Sequence, residues 1–386
     1  MEKYFTHDLI IHIIGFQSII LLIIFSNIWI TRRARMHPPL ETYPLVSILV
    51  PARNEEKNIT TCVQSLLAQT YPSFELLVLD DQSTDNTYSI LEEISTSNPN
   101  LTVLEGQPPS EDQVGKNWAC TQLANQAQGD LFLFTDADTF HQPNTLKELV
   151  NALVGEQADL ITGFPYQQVH SWGEKLLVPF FSWALTCFIP LWVSYRFRLH
   201  ILTSAVGQMM LFQRAAYFSV GGHNNVSSSI VDDLSLARHI KSTGLRCRVV
   251  YITDLISCRM YKSSREACNG FVKNLFAAFE FRLLPYLFVF SWLVVVFWLP
   301  LIIISLMSLN LAPQAQSLDL SICIGLSLLV WLIPYLEMRI PFGLAFLYPV
   351  TMLANFIIAL QSLRYSLSGG IFWKGRKIMK SRWRWL

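Results

Sequence analysis

The stretch VSILVPARNEE, residues 46–56, joins an apolar run directly to a polar turn. A short apolar run such as Val46–Val50, bounded by turn residues, predicts a β-strand. The polar cluster Pro51–Glu56 ends that strand, and Ile59–Gln69 then carries apolar residues at helical spacing on one face. This stretch therefore predicts the strand, turn and helix that begin an α/β domain.

The same pattern is repeated in LLVLDDQSTD, residues 76–85. Glu75–Leu79 is predicted to be a strand and Thr84–Ile94 a helix, with Ser83 as its cap. The alternation continues from residue 45 to about 255, which predicts an α/β fold with a Rossmann-like parallel sheet. Sites in such sheets form at the carboxyl ends of the strands. Later apolar runs predict further strands at Leu131–Thr135 and Asp159–Thr162.

The composition of the chain indicates a membrane protein. Hydrophobic residues make up 52% of the 386 residues and charged residues only 15%, which is too apolar for an ordinary soluble protein. The formal net charge is +1, so nothing indicates nucleic-acid binding. The seven cysteines show no close metal-ligand spacing, and their odd, scattered distribution indicates reduced thiols on a cytosolic face.

The first apolar run, Leu9–Ile30, is long enough to cross a bilayer core of roughly 30 Å. The cations Arg32, Arg33 and Arg35 follow this run, whereas a cleavable signal carries its charge before the apolar run. The positive-inside rule then places the N-terminus outside and the chain after Arg32 in the cytoplasm. Residues 1–35 are therefore predicted to be a transmembrane anchor.

Residues 283–363 contain three more apolar runs, Leu283–Leu309, Leu318–Leu336 and Phe342–Leu363, each long enough to span. Three crossings that start in the cytoplasm would leave the basic tail, residues 364–386, outside. So many cations beside a membrane favour a cytoplasmic tail, so one segment is predicted to be re-entrant. The last pair of runs is interrupted by Pro334, Glu337, Arg339 and Pro341, and the cations of the tail are Arg364, Lys374, Arg376, Lys377, Lys380, Arg382 and Arg384.

A further apolar stretch, Leu176–Val193, lies inside the α/β region. A single crossing there would place the polar clusters before and after it on opposite sides of the membrane. Pro179 and Pro190 also weaken a continuous span. The stretch is therefore predicted to be an interfacial helix over residues 176–195.

The motif Asp136-Ala137-Asp138, a pattern that is also common by chance, comes directly after the apolar strand that begins at Leu131. Alternating carboxylates at the end of a buried strand lie at the rim of the sheet. Two such carboxylates can bind a hard divalent cation, Mg²⁺ or Mn²⁺, which also takes diphosphate oxygens. Asp136 and Asp138 are therefore candidates for a site where a diphosphate leaving group is stabilised.

Several other polar residues each admit a functional and a structural interpretation. The clusters at 51–56 and 80–85 can accept hydrogen bonds from a nucleobase or a ribose, or can form solvated turns. Asp232-Asp233 can supply a general base or complement a helix dipole, and Lys116 can bind phosphate or be solvated. His223 can touch the diphosphate or metal, or be a structural loop histidine. Four aromatic residues can form an acceptor platform or a membrane anchor, namely Trp172, Phe180, Phe181 and Trp183.

The order VSILVPARNEE, LLVLDDQSTD, GK, FTDAD, GG and DD closely resembles glycosyltransferase family 2, over residues 45–275. The resemblance implies the GT-A fold and sugar transfer from a nucleotide-sugar with inversion at the sugar carbon. It implies that Asp81, with Asp80, contacts the nucleobase. It also implies that the nucleotide pocket is lined by Pro51, Ala52 and Glu55.

The same resemblance implies that Asp138, with Asp136, forms the metal and diphosphate site. The family's Glu-Asp base motif corresponds to Asp232-Asp233 here, so Asp233 takes the role of general base. The first position of that motif departs from the family's glutamate.

Three further segments narrow the resemblance, namely GKNWAC at 115–120, Arg259-Met260-Tyr261 and the segment WKGR at 373–376. They are similar to membrane-bound family members that glycosylate carotenoid acids, hopanoids or ceramide. This implies a donor such as UDP-glucose and a lipophilic acceptor at the cytoplasmic face of the cell membrane. The alternatives are a processive polysaccharide synthase, disfavoured because QxxRW is absent, and a non-catalytic membrane scaffold.

Overall fold

The computed structural model describes residues 2–110, 113–197, 199, 202–311, 317–367, 371–373, 376–378 and 383–385, with no side-chain description for 2–7, 371–373 and 376–378. The chain forms two compact units. The first, called the sheet unit, comprises Ile28–Gln168 and Leu191–Met260. The second, called the helical unit, comprises Met1–Asn27, Val169–Pro190 and Tyr261–Leu386. The sheet unit thus ends at Met260, before the limit of 275 predicted for the domain.

The sheet unit is built on seven strands in the order β3-β2-β1-β4-β8-β6-β9. β1 pairs in parallel with β2 and β4, whereas β8 runs antiparallel to both β4 and β6. The sheet is therefore mixed, and the prediction of an entirely parallel sheet was wrong. The strands are β1 Val46–Ala52, β2 Phe74–Asp80, β3 Leu101–Glu105, β4 Leu131–Thr135, β5 Thr139–His141, β6 Leu160–Phe164, β7 Tyr166–Gln167, β8 Met209–Gln213, β9 Cys247–Tyr251 and β10 Ile256–Cys258.

Helices cover both faces of this sheet. Successive side chains of a strand point to opposite faces, so Ile48 and Val50 pack into one apolar cluster and Leu49 into another. Burial on both faces explains why β1 is apolar at every position except Ser47, as strands covered on both sides are near-continuously apolar. The helices with residues in this unit are α1 Glu2–Arg33 (from Ile28), α2 Ile59–Leu67, α3 Thr87–Thr96, α4 Gly115–Gln126, α5 Thr145–Gly155, α7 Leu191–Arg196, α8 Arg214–Ser219, α9 Gly222–Asn225 and α10 Asp232–Ser242.

One predicted helix start differs from the structure, and a second helix begins at the acidic pair. α3 begins at Thr87, and Ser83 does not cap it, because the Ser83 hydroxyl accepts the backbone N–H of Asn54 instead. α10 begins at Asp232, so the acidic pair forms the first turn of the helix. Acidic side chains in a first turn interact favourably with the positive end of the helix dipole.

The segment predicted to be one interfacial helix over 176–195 consists of two helices. α6, Trp172–Phe188, begins with a capping box formed by Ser171 and Glu174 and belongs to the helical unit. α7 begins at Leu191 and belongs to the sheet unit. The break falls at Pro190, which has no N–H to continue the helical hydrogen bonds.

An aromatic cluster forms the interior of the helical unit. The Trp183 indole stacks on Trp331 with ring centroids 3.9 Å apart and donates to the backbone oxygen of Val330 at 3.0 Å. Trp183 is 0% exposed and Phe180 is 4% exposed, so these two side chains serve neither as an acceptor platform nor as a membrane anchor. Trp172 is exposed. The remaining elements are α11 Ser264–Ala278, α12 Leu283–Ser308, α13 Ser317–Glu337, the 3₁₀ helix Phe342–Leu347, α14 Tyr348–Leu367, β11 Ile371–Trp373 and β12 Arg376–Ile378.

Among the described residues, four helices are long and apolar enough to cross a membrane: Asp8–Arg33, Leu283–Ser308, Ser317–Glu337 and Phe342–Leu367. The last of these ranges comprises the 3₁₀ helix and α14 together. These agree with the four apolar runs predicted from the sequence.

α14 runs antiparallel to α12 within the helical unit. Tyr348, the first residue of α14, contacts Phe297 in the middle of α12, with ring centroids 6.0 Å apart. Further along α14, the backbone oxygen of Ala359 accepts the hydroxyl of Tyr286, close to the start of α12. α14 therefore ends at the level where α12 begins.

The C-terminal segment returns to that same level. The backbone N–H groups of Leu283 and Leu284 donate to the carbonyls of Arg384 and Trp385. The first N–H groups of a helix have no partner within the helix, so residues 383–385 cap α12. Three of the predicted tail cations, Lys374, Lys380 and Arg382, lie outside the described residues.

Candidate active site

The carboxyl ends of β1, β2 and β4 bring the predicted nucleotide residues to one edge of the sheet. Ala52 at the end of β1 is in register with Asp80 at the end of β2, and its carbonyl accepts the N–H of Asp81. Asp80 and Asp81 are both buried. Asp80 accepts the Ser83 N–H through Oδ2, while its buried Oδ1 has no hydrogen-bond partner among the described residues. This oxygen is available to accept a hydrogen bond from a ligand.

The side chains of Arg53 and Asn54 fix the turn between Ala52 and Glu55. The Arg53 guanidinium donates to the backbone oxygen of Asp81 at 2.7 Å and approaches its carboxylate at 3.4 Å. Asn54 adopts a φ of 53°, in the left-handed region, and its side-chain oxygen accepts the N–H of Thr84. Sequence reasoning did not single out Arg53, although it lies inside the PARNEE motif.

Glu55 is oriented toward the same edge. Its carboxylate accepts the side-chain amide of Asn58 at 2.7 Å, and its N–H donates to the hydroxyl of Thr87. Its charge contributes to the raised pKa of Asp138, which shows that the two carboxylates are close. Pro51 and Ala52 end β1 beside it, and Ala52 is buried.

Asp136 and Asp138 follow β4 at this edge. Burial raises the pKa of Asp138 to about 7, and the charges of Asp136 and Glu55 add to this effect. The Oδ1 atom of Asp138 is buried and has no hydrogen-bond partner among the described residues. Crowded carboxylates with an unpartnered oxygen are stabilised by a cation.

The residues present fit a divalent cation held together with a ligand. Within the described residues, no three His, Cys, Asp or Glu side chains form a complete metal cage. Mg²⁺ binds through one or two carboxylates and completes its coordination with substrate phosphates and water. Asp136 and Asp138 supply such a pair, so the two residues suit a cation that arrives with a diphosphate.

Lys116, in the first turn of α4, connects the two acidic motifs. Its ammonium lies 2.7 Å from Asp136 Oδ1. Burial opposes protonation of Lys116, but the charges of Asp136 and Asp232 outweigh burial and raise its pKa well above the ordinary value. Lys116 is therefore a partly buried, paired cation and not a solvated lysine.

Asp233 is buried and held by the backbone. Its Oδ2 accepts the N–H of Gly207 at 2.8 Å, and its Oδ1 accepts the N–H of Leu234 at 2.7 Å. Burial, followed by the charge of Asp232, raises the pKa of Asp233 to about 6. A carboxylate with a fixed orientation and a pKa close to neutral suits a general base.

His223 lies behind Asp232 and not at the open edge. Its side chain is 2% exposed, and its Nε2 atom is 3.8 Å from Asp232 Oδ2. Burial lowers the pKa of His223 to about 4 against the opposing charge of Asp232, so the ring is neutral. The Nδ1 atom is 2.9 Å from the hydroxyl of Tyr217, a residue that sequence reasoning missed and for which no motif gives a signal.

Comparison with known proteins identifies the class of the sheet unit. Residues 47–218 match glycosyl transferase family 2. The mannosyltransferase PcManGT from Pyrobaculum calidifontis, solved with GDP-Man and Mn²⁺, shares this fold with a TM-score of 0.50 and 16% identity, over 92% of this chain and 99% of that one. Residues 47–218 are therefore similar to glycosyl transferase family 2, and the sheet unit has the GT-A fold.

Two curated relatives are similar over part of their length. The 4,4'-diaponeurosporenoate glycosyltransferase of Staphylococcus haemolyticus is 26% identical over 238 residues, which cover 61% of this chain and 62% of the relative. The beta-monoglucosyldiacylglycerol synthase of Synechocystis is 31% identical over 212 residues, or 52% of this chain and 42% of the relative. The chain thus spans less than two thirds of the length of each.

We predict that Asp138→Asn increases stability while removing a site residue. The folded-state pKa of Asp138 lies above its unfolded value of 3.8, so its ionisation costs folding free energy. This cost grows as pH rises from the unfolded pKa to the folded pKa of about 7 and is fully present above that pH. Removing the charge should therefore stabilise the protein at pH 8 by about 1 to 3 kcal/mol, measured as a higher melting temperature in detergent without metal.

The matched control for this prediction is Asp85→Asn in the turn before α3. Burial disfavours ionisation of Asp85, but hydrogen bonds from Thr87 outweigh it and lower its pKa. This substitution should therefore lower the melting temperature at pH 8. A destabilised Asp138→Asn protein would contradict the conclusion that the negative charge of Asp138 opposes folding when no cation is bound.

Proposed function

We propose that the protein transfers a sugar from a nucleotide-sugar to a lipophilic acceptor at the membrane, with inversion at the sugar carbon. The observation that carries this proposal is the group of charges at one sheet edge, where Lys116 joins Asp136 to the Asp232-Asp233 pair. Such an edge is where Rossmann-like sheets bind nucleotides. The match of residues 47–218 to glycosyl transferase family 2 supports the same reaction class.

The donor binds with its base at Asp80 and Asp81 and its diphosphate at Lys116. The unpartnered Oδ1 of Asp80 supports the base contact, because a base N–H would satisfy it. Asp136 and Asp138 would hold Mg²⁺ or Mn²⁺. When bound, the cation would neutralise negative charge on the departing diphosphate. UDP-glucose or a similar UDP-sugar is the donor that the family resemblance favours.

Asp233 acts as the general base. It takes the proton from an acceptor hydroxyl, or accepts a hydrogen bond from an acceptor carboxyl, as the acceptor oxygen attacks the anomeric carbon. The bond from that carbon to the diphosphate oxygen breaks on the opposite face, which inverts the configuration. The two backbone N–H groups on Asp233 support this role, because they fix its orientation.

The acceptor is a lipid, such as a carotenoid acid or a hopanoid. The relatives whose names specify a carotenoid acid and a diacylglycerol support this class. The apolar helices of the chain would keep the enzyme beside an acceptor dissolved in the bilayer, which raises the effective concentration of the acceptor.

Two alternatives remain less well supported. A non-catalytic scaffold would gain nothing from burying Asp138 and Asp233, whose ionisation opposes folding. A processive synthase would extend a polymer, whereas the proposed enzyme adds a single sugar. The number of sugars on the product therefore separates the two enzymatic alternatives.

We infer that the sheet unit and the C-terminal tail are both cytoplasmic in the cell membrane. Arg32 and Arg33 lie in the last turn of the first helix and Arg35 follows it, which supports a cytoplasmic sheet unit. Ile10 near the start of α1 packs with Met307 at the end of α12, so the two helices run in opposite directions.

The path of α14 supports a re-entrant last segment. Because α14 descends alongside α12 and the carbonyl of Arg384 caps Leu283, the tail lies on the side where α12 starts. α12 and α13 then form one outward and one inward pass, and the 3₁₀ helix with α14 enters and leaves on the cytoplasmic side. The cations Arg282, Arg364 and Arg384 would all lie on that side, in agreement with the positive-inside rule.

The test of the proposed function is a transfer assay with purified protein in detergent. Mn²⁺, radiolabelled UDP-glucose or GDP-mannose and a lipid carrying a hydroxyl or carboxyl group are supplied, and the lipid product is analysed by mass spectrometry and NMR. We expect one added sugar with inverted configuration. Neither transfer nor metal-dependent hydrolysis with any nucleotide-sugar would contradict the proposal.

We predict that Asp233→Asn lowers kcat by about 10² or more, because the amide cannot take a proton. The Asp233→Asn variant should bind UDP nearly as tightly as the wild-type protein. Asp232→Asn should weaken donor binding more than turnover. The measurement is kcat and donor KM for both variants, and an exchange of the two behaviours would move the base to Asp232.

The wild-type pH profile provides a second check on Asp233. Its pKa is raised to about 6, so the base is lost as pH falls through about 6, and kcat/KM should decline below that pH. A profile that stays flat down to pH 4.5 would contradict the assignment.

We predict that reporter tags placed after Arg35 and after Leu386 both report the cytoplasm. The reason is the cationic segment at each position and the return of the chain to the start of α12. A tag in the loop near Asn310 should report the opposite side and serves as the internal control. An external C-terminus would mean that all three late helices cross.

A further inference from the structure

A buried histidine and tyrosine lie directly behind the acidic pair, and neither belongs to the proposed donor or acceptor contacts. Tyr217, on α8, is 2% exposed, and His223, on α9, is equally buried. The His223 ring also packs against Phe134 of β4, with centroids 4.6 Å apart. The imidazole is therefore fixed on one side by the core of the sheet unit.

The neighbours of His223 indicate which ring nitrogen carries the proton. The Tyr217 hydroxyl accepts the backbone N–H of His223 at 3.0 Å and lies 2.9 Å from Nδ1. Nε2 faces a carboxylate oxygen of Asp232, which favours the hydrogen on Nε2 and leaves Nδ1 to accept the Tyr217 hydroxyl. The ring is neutral because burial lowers its pKa to about 4. The Nε2–H group faces Asp232 Oδ2 at 3.8 Å.

The turn before His223 is built for this arrangement. Gly221 and Gly222 have φ values of 79° and 52°, in the region that favours glycine. A Cβ atom on Gly222 would overlap the ring of Tyr217. The two glycines therefore allow the backbone of His223 to reach the Tyr217 hydroxyl.

We propose that His223, oriented by Tyr217, is a positioning residue that directs Asp232 toward Lys116. Oδ2 of Asp232 lies 3.8 Å from Nε2 of His223, and the charge of Asp232 acts on the Lys116 ammonium, which also pairs with Asp136. The separation of 3.8 Å exceeds a hydrogen bond, and contacts of this kind often tighten when a substrate binds. A fixed Asp232 keeps Lys116 where the donor diphosphate would bind, so the inference rests on the proposed function.

A purely structural role for His223 makes a different prediction. A core histidine that only fills space would change stability, and its replacement would affect donor binding equally whether or not Asp232 carries a charge. A positioning role requires coupling, because the contribution of His223 passes through the Asp232 carboxylate.

The experiment measures the Kd of UDP with Mn²⁺ by calorimetry, so it does not depend on catalytic turnover. His223→Leu should weaken UDP binding about 10-fold, the effect expected for loss of a hydrogen bond to a charged group. His223→Gln, which keeps an N–H donor at the end of the side chain, should restore most of the affinity. In the Asp232→Asn background, His223→Leu should change the Kd less than twofold.

Tyr217→Phe tests the tautomer, with Tyr71→Phe as its matched control. Tyr71 is buried to the same extent and also uses its hydroxyl, which donates to the backbone oxygen of Pro44. We expect Tyr217→Phe to weaken UDP binding and Tyr71→Phe to leave it unchanged, with both proteins folded by their melting temperatures.

Two outcomes would overturn the inference. One is wild-type affinity in folded His223→Leu or folded Tyr217→Phe protein. The other is the same loss of affinity in both Asp232 backgrounds. Absence of UDP binding by the wild-type protein would instead contradict the proposed function, so the two failures are distinguishable.

Discussion

The ion pair between Lys116 and Asp136 is the interaction on which the candidate site depends. The edge of the sheet brings together the carboxylates of Glu55, Asp136, Asp138 and the Asp232-Asp233 pair, and burial strengthens their repulsion. Lys116 offsets part of that repulsion from within the protein, which is why its ammonium stays charged despite burial. The raised pKa of Asp138 shows that the compensation is incomplete.

This incomplete balance explains why a donor with a metal suits the site. A diphosphate alone would add negative charge beside Asp138, whereas a diphosphate bound to a divalent cation brings compensating charge to the same place. A fully neutralised site would give a more stable protein but a weaker preference for the metal-bound donor. The repulsion between the charges at the edge therefore lowers stability in favour of ligand binding, as is common at functional sites.

The elements predicted correctly are those determined by neighbouring residues. β1 and β4 follow from local apolar runs with polar turns, and β4 has the predicted bounds. The placement of Asp80 and Asp136 at one edge also follows from sequence, because parallel strands align their carboxyl ends. The antiparallel strand β8 was missed, since its five residues between Met209 and Gln213 carry no periodic signal of strand direction.

The contacts that complete the site were beyond sequence reasoning because they join distant segments. Gly207 donates to Asp233 across 26 positions of the chain, and no motif marks it. The partnership of Tyr217 with His223 depends on a turn whose backbone geometry is visible only in three dimensions. In the helical unit, hydropathy identified which segments can enter a membrane. The direction of α14 is given by the contacts of Tyr348 with Phe297 and of Ala359 with Tyr286.

The division of roles between Asp232 and Asp233 follows from how each carboxylate is held. Both oxygens of Asp233 accept backbone N–H groups, which use one lone pair each and leave a second lone pair on each oxygen for another donor. Those hydrogen bonds lower its proton affinity, yet burial and the adjacent charge of Asp232 outweigh them and leave the pKa raised. Asp232 thus increases the basicity of its neighbour through its own negative charge, and anything that fixes Asp232 also fixes the strength of the base.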